Sequence, residues 1–214
     1  MDIIFLGHSS FRIKGKSASV VTDPFDSTMV GLKYSAAEGD IVTISHHHRD
    51  HDQGLLVKGV KKVIDSPGEY EIMGVSILGF ASYHDDKKGE ERGENTIFVY
   101  EIDGMRLAHL GDLGHKLSEE MVDSLGDIDI LMIPVGGVFT ISPALAAEIV
   151  RTIEPTVILP MHYLVPGMAG TFSGLAPVEE FLKEVGSISE RLPRLSIKKE
   201  ELGEEQKIVF LEKK

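Results

Sequence analysis

Cysteine is absent from the 214-residue sequence. Disulfide bonds are therefore excluded, and any metal ion must be bound by histidine, aspartate or glutamate. Basic residues are also scarce: 22 lysines and arginines stand against 34 aspartates and glutamates, which gives a net charge of −12. This deficit argues against nucleic acid as a partner, because such proteins need clustered cations to replace the counterions of phosphates. It equally argues against binding to an anionic membrane surface.

Long apolar runs are missing as well. No stretch approaches the ~18 apolar residues that suggest a membrane-spanning helix. The N-terminal MDIIFLGHSS has a short apolar run without a basic leader, so it does not resemble a secretory signal. We therefore expect a cytoplasmic protein. Hydrophobic residues still make up 42% of the chain, which is enough for a sizeable core, and the length suits one domain over residues 1–214.

Short runs rich in Val, Ile and Phe predict most of the strands. We place them at residues 2–6, 10–14, 18–22, 40–45, 61–66, 75–83, 127–135 and 155–161, with a hairpin over 95–112 that turns at Asp103-Gly104. Helices are predicted after the caps Ser118 and Ser142, and between Pro177 and Gly186. Beyond residue 187 we predict a polar turn in KKEELGEE and one edge strand at KIVFL. This order favours a layered α/β fold.

Candidate metal ligands follow the ends of four predicted strands. The hexapeptide HHHRDH (46–51) comes directly after DIVTIS, and His84, Asp112 and His162 follow three later strands. Buried imidazoles and carboxylates are unfavourable unless something pairs them, and a metal ion is the obvious candidate. A surface loop rich in histidine is the alternative for HHHRDH alone. It would not explain the polar residues after the other strands, where α/β proteins usually build their sites.

The spacing within HHHRDH indicates two metal ions. In an extended stretch alternate side chains share a face, so His46 and His48 can bind one ion while His47 points away. Asp50 and His51, after a turn, can bind a second ion. His162 can complete that second site, and the two oxygens of Asp112 can bridge both ions. Imidazole and carboxylate ligands suit two divalent ions, with zinc first and manganese or iron as alternatives.

These residues resemble a known family. His46-x-His48-x-Asp50-His51 matches the HxHxDH motif of the metallo-β-lactamase-fold hydrolases, and the later ligands follow in the same order. LGHSSF, TDPF, GENTIFVYE, HLGDLGH and PMHY further resemble the branch that contains the L-ascorbate-6-phosphate lactonase-like proteins. The resemblance covers roughly residues 3–185.

The resemblance implies a four-layer αββα sandwich with the metals at one edge of the two sheets. It also implies a ligand set: one zinc bound by His46, His48 and His84, the other by Asp50, His51 and His162, and Asp112 as the bridge. Classical β-lactamases of this fold carry a cysteine at the second site. Asp112 in a chain without cysteine therefore favours the general hydrolase branches over antibiotic hydrolysis.

The expected function is a zinc-dependent hydrolase. A hydroxide bridging two metal ions would cleave an ester, lactone or phosphodiester of a small metabolite, with Asp50 orienting the hydroxide or relaying its proton. The metal centre keeps a local positive charge, so an anionic substrate can bind despite the acidic surface. The alternatives are a metal-binding protein without turnover, such as a sensor or partner-binding protein, and a nuclease. A di-iron redox protein is a further reading, weakened by the missing flavodoxin domain.

Further residues are predicted to lie around the centre. Candidates for supporting a ligand or contacting substrate are His8, Asp23 and His115, while His109, inside a strand, is expected to be structural. Three further residues are candidates for lining a pocket, because they fall near the loops that carry the predicted ligands: Arg92, Asn95 and Tyr163. The glycine pair at 136–137 is a candidate for close backbone approach. The pocket is expected to be open or to be completed by a second subunit of a homo-oligomer.

Overall fold

The computed structural model describes residues 1–186, 189–203 and 205–214. Its strands are β1 (Asp2–Gly7), β2 (Ser10–Lys14), β3 (Ser19–Thr22), β4 (Ala37–Glu38), β5 (Ile41–Thr43), β6 (Val57–Lys58), β7 (Lys62–Ile64), β8 (Gly68–Ile72), β9 (Val75–Tyr83), β10 (Glu94–Ile102), β11 (Met105–His109), β12 (Ile130–Pro134), β13 (Val157–Met161), β14 (Ser189–Leu192), β15 (Leu195–Ser196) and β16 (Lys207–Leu211). Its helices are α1 (Ser27–Val30), α2 (Glu119–Leu125), α3 (Pro143–Ile153) and α4 (Val178–Val185). Short 3₁₀ turns lie at Gly54–Leu56, Gly170–Phe172 and Lys199–Glu201.

Two large sheets form the body of the described chain. One has the strand order β15-β1-β2-β3-β5-β7, and the other has the order β14-β16-β13-β12-β11-β10-β9-β8. Strands β11, β12 and β13 run parallel, while β9 is antiparallel to β10, and β10 is antiparallel to β11. The carboxyl ends of β9, β11 and β13 therefore lie at the same edge of the second sheet.

The alternating faces of β10 show how this sheet contributes to two cores. Phe98 and Tyr100 join the cluster between the two sheets, which also contains Ile3 from β1. Ile97 and Val99 point the other way, into a cluster with residues of α3 and α4. A strand buried on both faces needs apolar residues at nearly every position. The segment TIFVY (96–100) of β10 has them.

The two outer faces of the sandwich are covered differently. Helices α2, α3 and α4 contribute to the cluster on the outer face of the eight-stranded sheet. On the outer face of the six-stranded sheet, Val21 and Val42 pack with Ala37 of β4 and Val57 of β6. This gives the predicted α/β sandwich, with short segments in place of long helices on the second outer face. No helix in the described ranges is both long and apolar enough to cross a lipid bilayer.

Local signals placed the helix ends and the tight hairpin correctly. The hydroxyls of Ser118 and Ser142 cap α2 and α3 by accepting hydrogen bonds from backbone amides three residues on. Gly186 ends α4 with φ 67°. Asp103 and Gly104 have φ values of 53° and 76°, as a type I′ turn requires.

The C-terminal prediction was wrong in part. KIVFL forms β16, which is not an edge strand because it lies between β14 and β13 and pairs with both. A continuous apolar run of this kind is typical of an interior parallel strand. The true edge strand, β14 (SERL), escaped prediction because it is polar and largely exposed. The KKEELGEE stretch contains a 3₁₀ turn, and its Glu204, like residues 187 and 188, lies outside the described residues.

Candidate metal centre

The predicted ligands meet where β5, β9, β11 and β13 end. His84 directly follows β9, Asp112 lies three residues after β11, and His162 directly follows β13. The HHHRDH segment comes from the other sheet, three residues after β5. A backbone hydrogen bond from the Thr96 amide to the Ser45 carbonyl, 2.8 Å long, joins the two sheets here. The site is therefore supplied by both sheets at a shared edge.

Potential metal-ligating side chains form three overlapping groups. Within each group, one ligand atom from every residue lies within 4.8 Å of those of the others. They are His46, His48 and His84; His8, Asp50, His51 and His162; and His46, His51 and Asp112. All seven residues predicted as ligands fall into these groups, together with His8. The first group is the predicted first-ion set. The second contains the predicted second-ion set.

Asp112 lies between the two groups. Its Oδ2 is 3.3 Å from His51 Nε2, 3.3 Å from His84 Nε2 and 3.2 Å from His162 Nε2. The side chain is buried, and its other oxygen, Oδ1, has no hydrogen-bond partner among the described residues. One carboxylate thus faces imidazoles from both candidate ion sites, which is the placement expected of a bridging ligand.

Several buried polar atoms of this cluster have no hydrogen-bond partner in the described chain. They are His8 Nδ1, His46 Nε2, His51 Nε2, His84 Nδ1, Asp112 Oδ1 and both ring nitrogens of His162. Buried polar atoms are normally paired, and unpaired ones are costly to stability. A group of converging imidazole nitrogens and a carboxylate is the donor set of a divalent metal ion. The residues present therefore fit a metal.

Asp23 fixes the orientation of two of the imidazoles. Its Oδ2 accepts hydrogen bonds from His51 Nδ1 at 2.9 Å and from Ser45 Oγ at 2.7 Å. Ser45 Oγ in turn lies 2.9 Å from His46 Nδ1. Because the serine proton is directed to Asp23, His46 Nδ1–H donates to Ser45. Both histidines then direct Nε2, the atom that a metal ion would bind, toward the cluster.

The charges of the cluster are strongly coupled. Burial opposes ionisation of Asp112, but His162 and His51 outweigh it and hold the pKa of that carboxyl well below its usual range. Burial likewise disfavours charge on His51, yet Asp112 and Asp50 raise the pKa of His51 well above its usual value. For His46, burial and the neighbouring His51 lower the pKa far below normal. The centre thus combines ionised carboxylates with a neutral His46 and a charged His51, and His51 must release its proton when a metal ion binds.

His8 packs directly on the second group. Its Nε2 lies 3.2 Å from Asp50 Oδ2, and its ring packs against that of His162 with a centroid distance of 4.3 Å and an interplanar angle of 44°. Burial, followed by the nearby His162, lowers the pKa of His8 to about 4. Neutral His8 can donate one hydrogen bond to Asp50, which fits its predicted supporting role.

Unusual backbone conformations occur at the same edge. His8, Asp23 and His162 have φ values of 56°, 38° and 51°, in the region that side chains other than glycine seldom adopt. The His162 amide donates to the His8 carbonyl at 2.8 Å. A Cβ on Gly136 would lie 2.1 Å from the His162 carbonyl oxygen, so glycine is required there. Such local strain is commonly found at functional sites.

Asp112 is also positioned by Asn95. The Asn95 Oδ1 accepts a hydrogen bond from the Asp112 amide at 2.9 Å, while its Nδ2 donates to Ser82 Oγ and the Leu110 carbonyl. Gly111 permits this close approach, because a Cβ there would lie 2.3 Å from Asn95 Oδ1. Asn95 therefore supports the turn that carries Asp112 rather than lining a pocket.

A pocket of about 440 Å³ opens over the cluster. It is lined by Met29, His47, His48, Arg49, Asp50, His84, Arg92, Asp112, Phe139, His162, Thr171 and Phe172. Polar ligands form its floor, and Met29, Phe139 and Phe172 give it an apolar wall. This combination suits a small-molecule site.

Other candidate residues lie elsewhere or at the rim. His115 is half-buried, its ring nitrogens are hydrogen-bonded to the Tyr83 amide and the Lys116 carbonyl, and it does not line the pocket. Its predicted substrate contact thus gains no support from the geometry. His109 is buried and bonds to the Ser9 carbonyl at 2.8 Å, as a structural residue would.

The residues between the ligands of HHHRDH reach the rim. His47 lies 3.9 Å from Asp65, and Arg49 pairs with Asp26. Neither joins a ligand group, although both line the pocket. The extended stretch assumed for His46 and His48 is not present, because β5 ends at Thr43 and the chain bends through the motif. The two imidazoles nevertheless converge.

Sequence reasoning missed Ser45, Phe139 and Phe172. Ser45 directly precedes the histidine cluster, and its position next to His46 was the available signal. The two phenylalanines come from loops without a recognisable pattern, so nothing in the sequence linked them to the pocket. Tyr163, considered for the pocket, lines a different surface cleft.

Comparison with known proteins identifies the class of this fold and site. A family model described as a beta-lactamase superfamily domain matches residues 2–162. A UPF0173 metal-dependent hydrolase from Thermococcus onnurineus is 31% identical over an alignment that covers 89% of this chain and 94% of that protein. The chain has the metallo-β-lactamase fold and belongs to the beta-lactamase superfamily. Within that superfamily it belongs to the UPF0173 metal-dependent hydrolase family.

Solved structures agree with this assignment. A Thermotoga maritima protein assigned to the zinc-dependent hydrolases of the metallo-beta-lactamase superfamily is 36% identical, with a TM-score of 0.80. The match covers 98% of this chain and 97% of that one. A metallo hydrolase from Ignicoccus hospitalis, at 22% identity and a TM-score of 0.65 over 86% of this chain and 90% of its own, shares the fold. The predicted branch resembling L-ascorbate-6-phosphate lactonases stays a prediction.

Proposed function

We propose that this protein is a hydrolase that uses two divalent metal ions, zinc first among them, to cleave an ester, lactone or phosphodiester of a small metabolite. The single observation that carries the proposal is the position of Asp112, whose Oδ2 lies 3.2–3.3 Å from the Nε2 atoms of three histidines. His46, His48 and His84 would hold one ion. Asp50, His51 and His162 would hold the other, with Asp112 shared between them.

The chemistry of the proposal divides between the ions and the protein. When bound, the two ions supply a shared hydroxide near neutral pH and polarise the bond to be cleaved. The chain orients the ligands through Asp23 and Ser45, and it places Asp50 at the floor of the pocket. Asp50 Oδ2 lies 3.2 Å from His8 Nε2 and 3.7 Å from His51 Nε2, so it is held where it can accept or orient a proton.

The substrate class rests on the pocket and on the relatives. A volume of about 440 Å³ matches a small molecule. The relatives from Thermococcus onnurineus and Thermotoga maritima carry the names metal-dependent hydrolase and zinc-dependent hydrolase. The acidic net charge of −12 is unfavourable for a nuclease. A small metabolite acted on in the cytoplasm is therefore the proposal.

The test is turnover by protein of known metal content. Purified wild type is reconstituted with zinc, manganese or iron and assayed on esters, lactones and phosphodiesters that release a chromophore. We expect hydrolysis that disappears on chelation and returns with metal. Asp50→Asn should lower kcat by about a hundredfold or more while the protein stays folded. Asp52→Asn is the matched control, because Asp52 is close in sequence, contacts Gln53 and does not line the pocket.

The opposite result has a definite meaning. Bound metal in stoichiometric amount with no turnover on any member of the panel would favour a metal-binding protein without hydrolytic activity. Equal activity of Asp50→Asn and wild type would remove Asp50 from the mechanism.

A further inference from the structure

Arg92 brings a guanidinium to the wall of the metal-site pocket. Two arginines line this pocket, but they differ in their partners. Arg49 is ion-paired with Asp26. Arg92 has only Glu91 nearby among the acids of the described chain, with 3.6 Å between Nη1 and Oε2, and Glu91 does not line the pocket. Arg92 therefore presents positive charge to whatever occupies the pocket.

The loop that carries Arg92 is held by a single buried carboxylate. Asp85 accepts hydrogen bonds from the backbone amides of Lys87, Gly89, Glu91 and Arg92, at distances of 2.7–3.0 Å. Asp85 follows the candidate ligand His84 directly. The position of Arg92 is thereby tied to the position of a metal ligand, as a substrate-binding residue needs.

The guanidinium also contacts the loop that contains Val138 and Phe139. Arg92 Nη2 donates to the Val138 carbonyl at 3.4 Å, and the guanidinium carbon lies 5.9 Å from the centre of the Phe139 ring. Val138 has φ 60°, a strained conformation for a β-branched residue. The backbone is thus held in an unfavourable shape that turns its carbonyl toward Arg92 and places Phe139 at the pocket.

We propose that Arg92 determines specificity by binding an anionic group of the substrate, at a distance from the bond that is cleaved. The substrate class is then an amphipathic anion. Its apolar part lies against Phe139, Phe172 and Met29, its negative group pairs with Arg92, and its scissile group lies at the metal-binding floor. This inference rests on the proposed function, because it concerns the same pocket.

The charges of the pocket lining support the assignment. Among its lining residues the carboxylates are Asp50 and Asp112, and both belong to the ligand groups. The lining thus offers Arg92 no anion other than those at the floor. A planar guanidinium pairs well with carboxylate or phosphate oxygens through two parallel hydrogen bonds.

The test measures binding as well as turnover, so that it does not depend on finding a reaction. The probes are alkylphosphonates of two to five methylenes that end in a carboxylate, each paired with the methyl-ended phosphonate of equal length. Metal-reconstituted wild type is titrated with each pair by calorimetry. We expect at least one length to bind about tenfold more tightly with the carboxylate, the scale of one charge-assisted pair. Arg92→Gln should abolish that preference and Arg92→Lys should keep part of it.

A matched control lies in the same loop. Lys88→Gln removes the same charge from an exposed side chain that does not line the pocket over the metal site, and it should keep the wild-type preference. Metal content is measured for each variant, so that a lost preference is not a lost metal. A preference unchanged in Arg92→Gln, or absent from wild type at every length, would overturn the role of Arg92. Failure of the metal-loaded wild type to bind any phosphonate would instead count against the proposed metal-site function.

Discussion

The interior between the two sheets and the edge where four strands end are both buried, but they contain opposite kinds of side chain. The interior is built from residues such as Phe98, Leu107 and Ile130, all fully buried among hydrophobic neighbours. The edge holds imidazoles and carboxylates, several with unpaired polar atoms. The interior stabilises the fold. The edge lowers the stability of the fold until its unpaired polar atoms bind a partner such as a metal ion. Such a region is typical of a functional site.

The largest effect is expected from removing the shared carboxylate at the edge. Asp112→Asn keeps the shape of the side chain but loses the charge that faces three histidines. We expect the loss of at least one metal ion per chain, measured by elemental mass spectrometry, and a loss of activity of about a hundredfold or more. Asp129→Asn is the control, because that carboxylate bonds to Arg106 and Lys199. Full metal content in Asp112→Asn would contradict its bridging role.

A cavity in the interior should lower the stability of the fold and leave metal binding unchanged. Leu107 is fully buried in β11, the strand that leads to Asp112. Leu107→Ala should lower the free energy of unfolding by about 2–5 kcal/mol, measured by urea titration of the metal-free protein. The folded variant should still bind metal at the wild-type ratio. Leu55→Ala, at a side chain that is fully exposed, should change neither quantity, and a loss of metal in Leu107→Ala would break the separation of the two regions.

A substitution at Asp23 tests whether residues that hydrogen-bond to the candidate ligands contribute to metal affinity. Asp23→Asn removes the charged acceptor of His51 Nδ1, and metal affinity should fall by about 10–100-fold, measured by competition with a chelator. Asp40 offers a close match, because it accepts hydrogen bonds from the amide and hydroxyl of Ser19 just as Asp23 does from Ser45. Asp40→Asn should leave metal affinity unchanged. Equal affinity in both variants would mean that Asp23 only shapes the turn.

The smallest effect is expected at the cap of α3, which neither belongs to a ligand group nor lines the pocket. Ser142→Ala removes the hydroxyl that accepts from the Leu145 amide at the start of α3. The free energy of unfolding should fall by about 1 kcal/mol, with metal binding unchanged. Ser124→Ala, at the exposed end of α2 away from its cap, should produce no such loss. A similar loss in both variants would indicate a general effect of serine removal.

The sequence was informative where local chemistry determines structure. Serine caps, the Asp103-Gly104 turn and the apolar strands could all be located from short patterns. The ligand positions could also be predicted, because polar residues after apolar strands gather at a sheet edge. The predicted bridging role of Asp112 came from its two oxygens and from a family resemblance, and the predicted support from Asp23 came from the general needs of metal sites. The single domain over residues 1–214 stays a prediction.

The rest depended on contacts between distant segments. Phe139 and Phe172 reach the pocket only because their loops fold over the same edge, and Arg92 does so because Asp85 holds its loop. The interior position of β16 depends on its pairing with β14, whose polar sequence gave no strand signal. Even His46 and His48 converge through bends in the chain instead of through strand alternation.

The most direct measurement is the metal content of wild-type protein purified without a histidine tag or chelator, determined by elemental mass spectrometry. The account predicts two divalent ions per chain, either as purified or after reconstitution with zinc, manganese or iron. Protein that remains folded but binds none of these metals would contradict it, and the cluster around Asp112 would then need another explanation.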